Sequence, residues 1–358
     1  MSINIKKNWG NYMIEILDVK DVFNDDEIVL IDVRSEKEYL DDHICNSINM
    51  PVLTDKERHD VGYTYKNESK EEAVRKGIGY ATYKIIDYYD EIDRLCSKGK
   101  KVVFYCFRGG MRSNSVAKTM DTLNKKVYLL KGGYKEYRRY VMDFIEEIPD
   151  KYKFVMLHGL TGVGKTNILK KLKEEGEEVI DLEYLARNKG SVFGKIGYDK
   201  PTTQKLFESE LVYELSKLKG DRVYIESESR RVGNVNIPDK LFDTMKEGKH
   251  ILIETSLENR IKIILDDYIP KDTTKLEQFN DSLNGILINL KKLLSTEKVN
   301  TLSEYIINNN YEKFVEELLV DYYDPLYRNS IKKYEYKSII NYESIEDVVK
   351  AVIKTCRI

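Results

Sequence analysis

Histidine and cysteine are both scarce in this chain, with four of each among 358 residues. So few histidines argue against a histidine-based metal centre. The cysteines, Cys45, Cys96, Cys106 and Cys356, are scattered. They show neither the paired spacing of a zinc site nor the density of a disulfide-stapled secreted domain. No run of about 18 apolar residues occurs, so no membrane-spanning helix is expected. The opening Met1-Ser2-Ile3-Asn4-Ile5-Lys6-Lys7-Asn8 lacks the apolar core of a signal peptide. A reducing cytoplasm is the expected compartment. Net charge is nearly absent as well, at −2. A globally basic surface is thereby excluded, and any nucleic acid would be held by a local patch. Lysine is abundant but alternates with Asp and Glu, the pattern of a solvated surface.

What is present reads as two α/β domains. The chain is 41% hydrophobic and 34% charged, and its length suits about two domains of roughly 100–200 residues. Short apolar runs at Ile28–Val33, Lys101–Tyr105 and Lys126–Leu130 read as strands. Helical patterns at Tyr83–Leu95 and Ser113–Leu123 fall between them, which implies a parallel sheet with crossover helices. A helical pattern over Tyr134–Ile148 is broken by Pro149-Asp150, placing a boundary between a domain at 1–148 and one at 149–358. The second domain starts with a strand pattern at Lys153–Leu157, followed by others at Glu178–Ile180, Arg222–Ile225 and His250–Ile253. From Leu257 the pattern is mostly helical. Phe279, Leu283, Ile286, Leu290 and Leu293 form one packing stripe, and Phe314, Leu318 and Tyr322 another.

Two loops carry the chemistry. The first, Tyr105-Cys106-Phe107-Arg108-Gly109-Gly110-Met111-Arg112-Ser113, follows a strand pattern and opens a helical one. Gly109 and Gly110 let successive amides converge on the Cys106 sulfur. The helix N-terminus favours a thiolate there. Arg108 and Arg112 add charge for an anionic substrate or a charged sulfur adduct. The second loop, Gly159-Leu160-Thr161-Gly162-Val163-Gly164-Lys165-Thr166, matches G-x-x-x-x-G-K-[ST] between a strand and a helix pattern. Amides around Gly159, Gly162 and Gly164 cradle phosphates, Lys165 reaches terminal oxygens, and Thr166 can bind Mg²⁺. Its ligand is a nucleotide or the diphosphate of another substrate. Asp181, Glu226 and Glu228 follow strand patterns and are candidate acids on the metal side.

The first domain resembles the rhodanese family. Asp32-Val33-Arg34-Ser35, Glu38-Tyr39, His43-Ile44, Ser47–Pro51 and Lys131-Gly132-Gly133 carry the likeness. In that family the active cysteine bears a persulfide or related chalcogen adduct. Asp32 and Arg34 are expected to form a structural ion pair beneath the loop. Five residues separate Cys106 from Arg112, one more than in many sulfur-transferring rhodaneses. That spacing is also found in phosphatases, and it suits a tetrahedral oxyanion or a larger chalcogen donor.

Three further stretches, Asp55–Gly62, Glu226–Gly233 and Tyr322–Tyr327, join the two loops in one order. With them the chain resembles the bacterial tRNA 2-selenouridine synthases over nearly its whole length. The resemblance implies replacement of sulfur by selenium in wobble 2-thiouridine of tRNA. Selenophosphate is the donor, and the route passes through S-geranylation with geranyl diphosphate. It implies Cys106 as the essential cysteine and the phosphate-loop domain as the geranyl-transfer half. The anticodon stem-loop is the expected partner, and selenophosphate synthetase a further one. The family's Gly-Ser-x-Phe-Gly stretch is Gly190–Gly194 here. It is preceded by Asn188 and Lys189 where many relatives carry His and a basic residue. Lys189, Ser191, Arg230 and Arg231 are therefore the expected RNA or diphosphate contacts, of the kind that position a substrate without reading its bases. Some of the 27 tyrosines are available to stack splayed bases.

Each loop alone is generic. A small-molecule sulfurtransferase or phosphatase fused to a nucleotide kinase is the alternative. Intact Cys106, Lys165 and Thr166 argue against a non-catalytic regulator.

Overall fold

Apolar runs in this chain are continuous rather than alternating, as strands buried on both faces require. They assemble into two all-parallel sheets. The computed structural model of the protein describes residues 14–188, 201–270, 272, 274 and 276–357. These divide into two compact units. One runs through Phe144 and includes Glu208–Ser216; the other comprises Ile145–Phe207 and Lys217 onward.

The first unit holds β1 (Ile16–Leu17), β2 (Ile28–Asp32), β3 (Ile48–Asn49), β4 (Lys101–Tyr105) and β5 (Val127–Leu130). They lie in the order β1-β5-β4-β2-β3, every pair parallel. Ile31, Val102, Phe104 and Leu129 build the core on one face with Ile92, Ala117 and Met120 from crossover helices. β4 is central, so the loop after Tyr105 emerges at the carboxyl edge of the sheet, where ligands of open α/β sheets bind. Between β3 and β4 the chain makes a helical hairpin, Asp55–Asn67 and Lys70–Thr82. Thr54 and Glu57 cap its first helix reciprocally. Asp60 clasps its two arms, accepting from Lys76 Nζ at 2.8 Å and from the Tyr80 hydroxyl.

The second unit holds β6 (Lys153–His158), β7 (Glu178–Ile180), β8 (Arg222–Glu226), the ribbon β9 (Arg231–Val232) and β10 (Val235–Asn236), then β11 (Lys249–Glu254) and β12 (Ser338–Asn341). The sheet order is β12-β11-β6-β8-β7, again all parallel. β6 sits at the centre, and the helix Lys165–Glu174 follows it after the glycine loop. The C-terminal part is mostly helical, as expected, and β12 is a short strand within it. Ser338–Asn341 is too short to show a period, and it becomes a strand because it can extend the exposed edge of β11. Phe279, Leu283, Ile286 and Leu290 form the expected packing stripe, but Leu293 is exposed because the helix ends at Leu290. Tyr323, rather than Tyr322, is the fully buried ring of the second stripe, since a π-helical turn at Leu319–Tyr323 shifts the register.

One buried ion pair anchors the first sheet. Arg34 Nη2 lies 2.6 Å from Asp32 Oδ2, its Nε donates to both carboxylate oxygens at 3.0 Å, and Nη2 also donates to the Asp42 carbonyl at 2.7 Å. Neither side chain reaches solvent. This is the structural pair expected from the sequence. Asp32→Ala should destabilise the protein by about 3–5 kcal/mol in urea titrations, because it strands a buried guanidinium. The double variant Asp32→Leu/Arg34→Met should recover most of that loss. A single variant costing under about 1 kcal/mol would contradict the assignment.

Candidate active site: a cysteine nest and a phosphate loop

Cys106 follows directly on β4 and is 3% exposed. Its Sγ accepts hydrogen bonds from the Gly110 amide and the Ser113 hydroxyl, both at 3.2 Å. Gly109 turns the loop with φ at +63°, and Asn114 Nδ2 pins the turn through the Gly109 and Gly110 carbonyls at 2.8 and 2.9 Å. The helix Met111–Thr122 then begins, with its N-terminus at the nest. Both donors point at the sulfur.

The Lys131-Gly132-Gly133 turn closes the nest from behind. Tyr134 N donates to the Cys106 carbonyl and Lys135 N to that of Phe107, both at 2.9 Å. A Cβ on Gly133 would fall 2.2 Å from the Cys106 carbonyl oxygen, at φ +60°. Only glycine fits there.

The arginines of the loop divide. Arg108 is exposed and stands over the Phe107 ring. Arg112 is turned to Glu38, its Nη1 2.7 Å from Oε2, and Arg58 Nε reaches the same oxygen at 3.0 Å. Burial opposes the charge on Glu38, but its hydrogen bond to Arg112 and the charges of Arg112 and Arg58 hold its carboxyl below the usual range. Arg112 is thus an ion-paired member of the loop, a partnership across 74 residues of sequence that spacing does not reveal.

The phosphate loop is built by close approach in the same way. A Cβ on Gly159 would lie 2.7 Å from the Ile253 carbonyl oxygen, and one on Gly162 would lie 3.1 Å from that of Arg260. Gly162 and Gly164 have φ of +84° and +69°. Arg260 Nε donates to the Thr161 carbonyl at 2.8 Å, and its other nitrogens meet Asp324 at 2.6 and 3.0 Å in a buried bidentate pair. The Tyr342 hydroxyl donates to the Val163 carbonyl at 2.9 Å. Asp324 and Tyr342 hold the loop from the C-terminal part of the chain.

Beneath the loop, His158 Nε2 and His250 Nδ1 are 2.8 Å apart, and His250 Nε2 contacts the Lys246 carbonyl at 2.9 Å. A carbonyl only accepts, so His250 carries a proton on Nε2. Burial, then the charges of His250 and Lys165, push the His158 pKa down to about 3. It is a neutral support for the strand end that precedes Gly159.

Glu183, Glu226 and Glu228 bring carboxylate oxygens within 4.8 Å of one another. Glu226 is fully buried; one oxygen accepts from the Glu183 amide at 2.8 Å and the other, Oε2, has no partner. Burial, then the charge of Glu183, holds the Glu226 carboxyl well above the usual range. Burial raises Glu228 too, against the pull of Lys165. Glu183 and Glu228 line a small cavity of about 80 Å³ with Lys165, Thr166 and Tyr327. An unpartnered carboxylate oxygen among acids fits a hard divalent cation such as Mg²⁺. Asp181, expected in this role, instead caps the helix Leu182–Leu185, its Oδ1 accepting from Tyr184 N at 2.8 Å. Glu183, two residues on, takes the place beside Glu226. The sequence signal for it was weak because it lies beyond the strand end.

Of the expected RNA or diphosphate contacts, Lys189 and Ser191, with the rest of Gly190–Gly194, lie outside the described residues. Arg230 precedes and Arg231 opens the β9–β10 ribbon, and both side chains are exposed. Arg230 pairs with Asp239, and Arg231 Nε donates to the Gly233 carbonyl at 3.1 Å.

A cysteine nest on one parallel sheet and a phosphate loop on a second define a rhodanese-like unit joined to a P-loop-like α/β unit. The family model for the rhodanese-like domain matches residues 16–140, and that for the tRNA 2-selenouridine synthase AAA domain matches residues 152–357. The chain belongs to the tRNA 2-selenouridine synthase family. A protein of that name from Sulfurovum sp. is 31% identical over 329 residues, spanning 85% of this chain and 89% of that protein. Another from Hydrogenovibrio crunogenus is 30% identical over 346 residues, spanning 90% and 94%. Among solved structures, an N-terminal domain from Clostridium difficile 630 is 41% identical, covers 36% of this chain and 99% of that one, and has a TM-score of 0.35. No helix among the described residues is long and apolar enough to cross a membrane.

The raised carboxyls at the acid cluster give a signed prediction. A carboxyl whose pKa rises on folding contributes stability that is full below its unfolded value and is lost as pH rises through the folded one. Glu226→Gln should therefore raise the melting temperature of the metal-free protein above pH 7 by about 2–4 °C. Mg²⁺ should raise the melting temperature of the wild type further, and Glu226→Gln should abolish that rise. An unchanged Mg²⁺ response would remove Glu226 from the metal site.

Proposed function

We propose that this protein modifies tRNA, converting wobble 2-thiouridine to 2-selenouridine with selenophosphate, through S-geranylation of the thiouridine by geranyl diphosphate. The observation that carries the reading is the presence, in one chain of this family, of a cysteine nest and a phosphate loop whose supports are both intact. In the alkylation half, the thiouridine sulfur attacks the first carbon of the geranyl chain and pyrophosphate leaves. Amides of Gly162, Gly164 and Lys165 and the Lys165 ammonium would hold the diphosphate and stabilise the departing charge. Mg²⁺, when bound by the glutamates and Thr166, would supply further neutralisation of that charge. In the exchange half, the selenium of selenophosphate adds to the base carbon and the C–S bond breaks, with geranylthiol as the leaving group; water then cleaves the Se–P bond, releasing phosphate and leaving selenium on the base. Cys106 is the essential cysteine of that half, with the Gly110 amide and Ser113 hydroxyl donating to its sulfur. Arg108, Gly109, Gly110 and Arg112 form the cradle for the selenium donor. The RNA backbone would be held by exposed cations such as Arg230 and Arg231, together with Lys189 and Ser191.

The direct test is conversion of thiouridine-containing tRNA, read by nucleoside mass spectrometry. Wild-type protein with selenophosphate and geranyl diphosphate should form selenouridine, and Cys106→Ala should lose at least about 100-fold of that rate. Selenation at the wild-type rate by the alanine variant would remove Cys106 from its role. Thiosulfate sulfur transfer or phosphatase turnover without tRNA binding would replace the reading with the small-molecule alternative.

Affinity for tRNA should fall with salt, because phosphate contacts release counterions. With three to five such contacts, the slope of log K against log salt is expected near −2 to −4. A flat profile in filter binding would contradict a phosphate-dominated interface.

A further inference from the structure

A cavity of about 930 Å³ lies in the first unit between the helical hairpin Asp55–Thr82 and the helix Met111–Thr122 that leaves the cysteine nest. Its walls are predominantly apolar, with Val61, Ile78, Val116 and Met120 among them. A volume of this size is in the range of small-molecule sites.

Two glycines keep it open. Gly62 and Gly77 both line the cavity from within helices, where glycine weakens the helix relative to alanine. Neither has a positive φ, so the backbone does not demand glycine. A Cβ at Gly62 would meet nothing within 4 Å, and one at Gly77 would meet only Val61 methyls at 3.9 and 4.0 Å. The arms of the hairpin are held by the Asp60–Lys76–Tyr80 clasp rather than by filling this space.

The polar end of the cavity has a sign. Arg58 and Arg112 both line it, and both lean on the single carboxylate of Glu38. Two cations against one anion leave surplus positive charge beside the helix that starts at Met111, five residues after Cys106. The site therefore combines an apolar chamber, an anion-attracting rim and a neighbouring thiol.

We infer that this cavity receives the aliphatic chain of an S-alkylated thiouridine nucleotide, holding a chain of the geranyl class while the base stands at the cysteine nest and its phosphate meets the arginine rim. The identity of the base rests on the proposed function; the apolar chamber and the charged rim do not. A bare thiouridine or selenophosphate would leave the chamber unused.

Calorimetric titration of the full-length protein with S-geranyl-2-thiouridine 5′-monophosphate and with 2-thiouridine 5′-monophosphate tests this. The alkylated nucleotide should bind wild type at least about tenfold tighter. Gly77→Phe and Gly62→Leu should each erase that preference while leaving the melting temperature no lower and the rate of Cys106 alkylation by iodoacetamide unchanged. Equal affinity of the two nucleotides for wild type, or a preference retained in both variants, would overturn the inference. So would geranyl diphosphate competing for the cavity with the same sensitivity to Gly77→Phe, or a change of oligomeric state in that variant, which would assign the space to a second copy. A protein that prefers the alkylated nucleotide yet never converts thiouridine tRNA would leave this inference standing and defeat the functional reading. Conversion without the preference would do the reverse.

Discussion

Backbone must approach backbone more closely than a side chain permits at both loops, and each unit is arranged around that approach. Gly133 presses on the Cys106 carbonyl, and Gly159 on the carbonyl of Ile253. Each contact bends a loop so that amides point inward at the carboxyl edge of a parallel sheet. An all-parallel sheet places its loops and helix N-termini at that edge together. The anion cradles are consequences of topology, and the glycines are the local condition for them.

Charges buried near the cradles are answered in pairs. Asp32 answers Arg34 beneath the first loop, and Asp324 answers Arg260 beneath the second. His158 and His250 form a chain of hydrogen bonds ending on a carbonyl. Such pairs position the loops without contributing a free charge to them. Two groups beside the cradles depart from this pairing: Glu226 Oε2 has no partner, and Arg58 and Arg112 share the single carboxylate of Glu38. They are also the places where a metal ion and a nucleotide phosphate are proposed.

Much of this was legible in the sequence because the signals were local. β4 and β7 fall at Lys101–Tyr105 and Glu178–Ile180 as read, and the strand-loop-helix context of both cradles follows from adjacent residues. The Asp32–Arg34 pair was legible because its members are two positions apart. What was not legible depends on tertiary neighbours. Arg112 finds Glu38, Arg260 finds Asp324, and Tyr342 reaches Val163 across long stretches of chain. β12 exists because β11 offers an edge, and Glu183 joins Glu226 because β7 pairs with β8. The motif Asp55–Gly62 was visible as a string, yet its meaning, one arm of an open hairpin over a cavity, required the second arm.

The central claim is a division of labour between the cysteine nest and the phosphate loop on one nucleobase. The most direct measurement is nucleoside mass spectrometry of bulk tRNA from cells lacking the wild-type protein and carrying either Cys106→Ala or Lys165→Ala. The account predicts that the cysteine variant accumulates S-geranyl-2-thiouridine and the lysine variant accumulates unalkylated 2-thiouridine. Accumulation of the same nucleoside in both strains would contradict it.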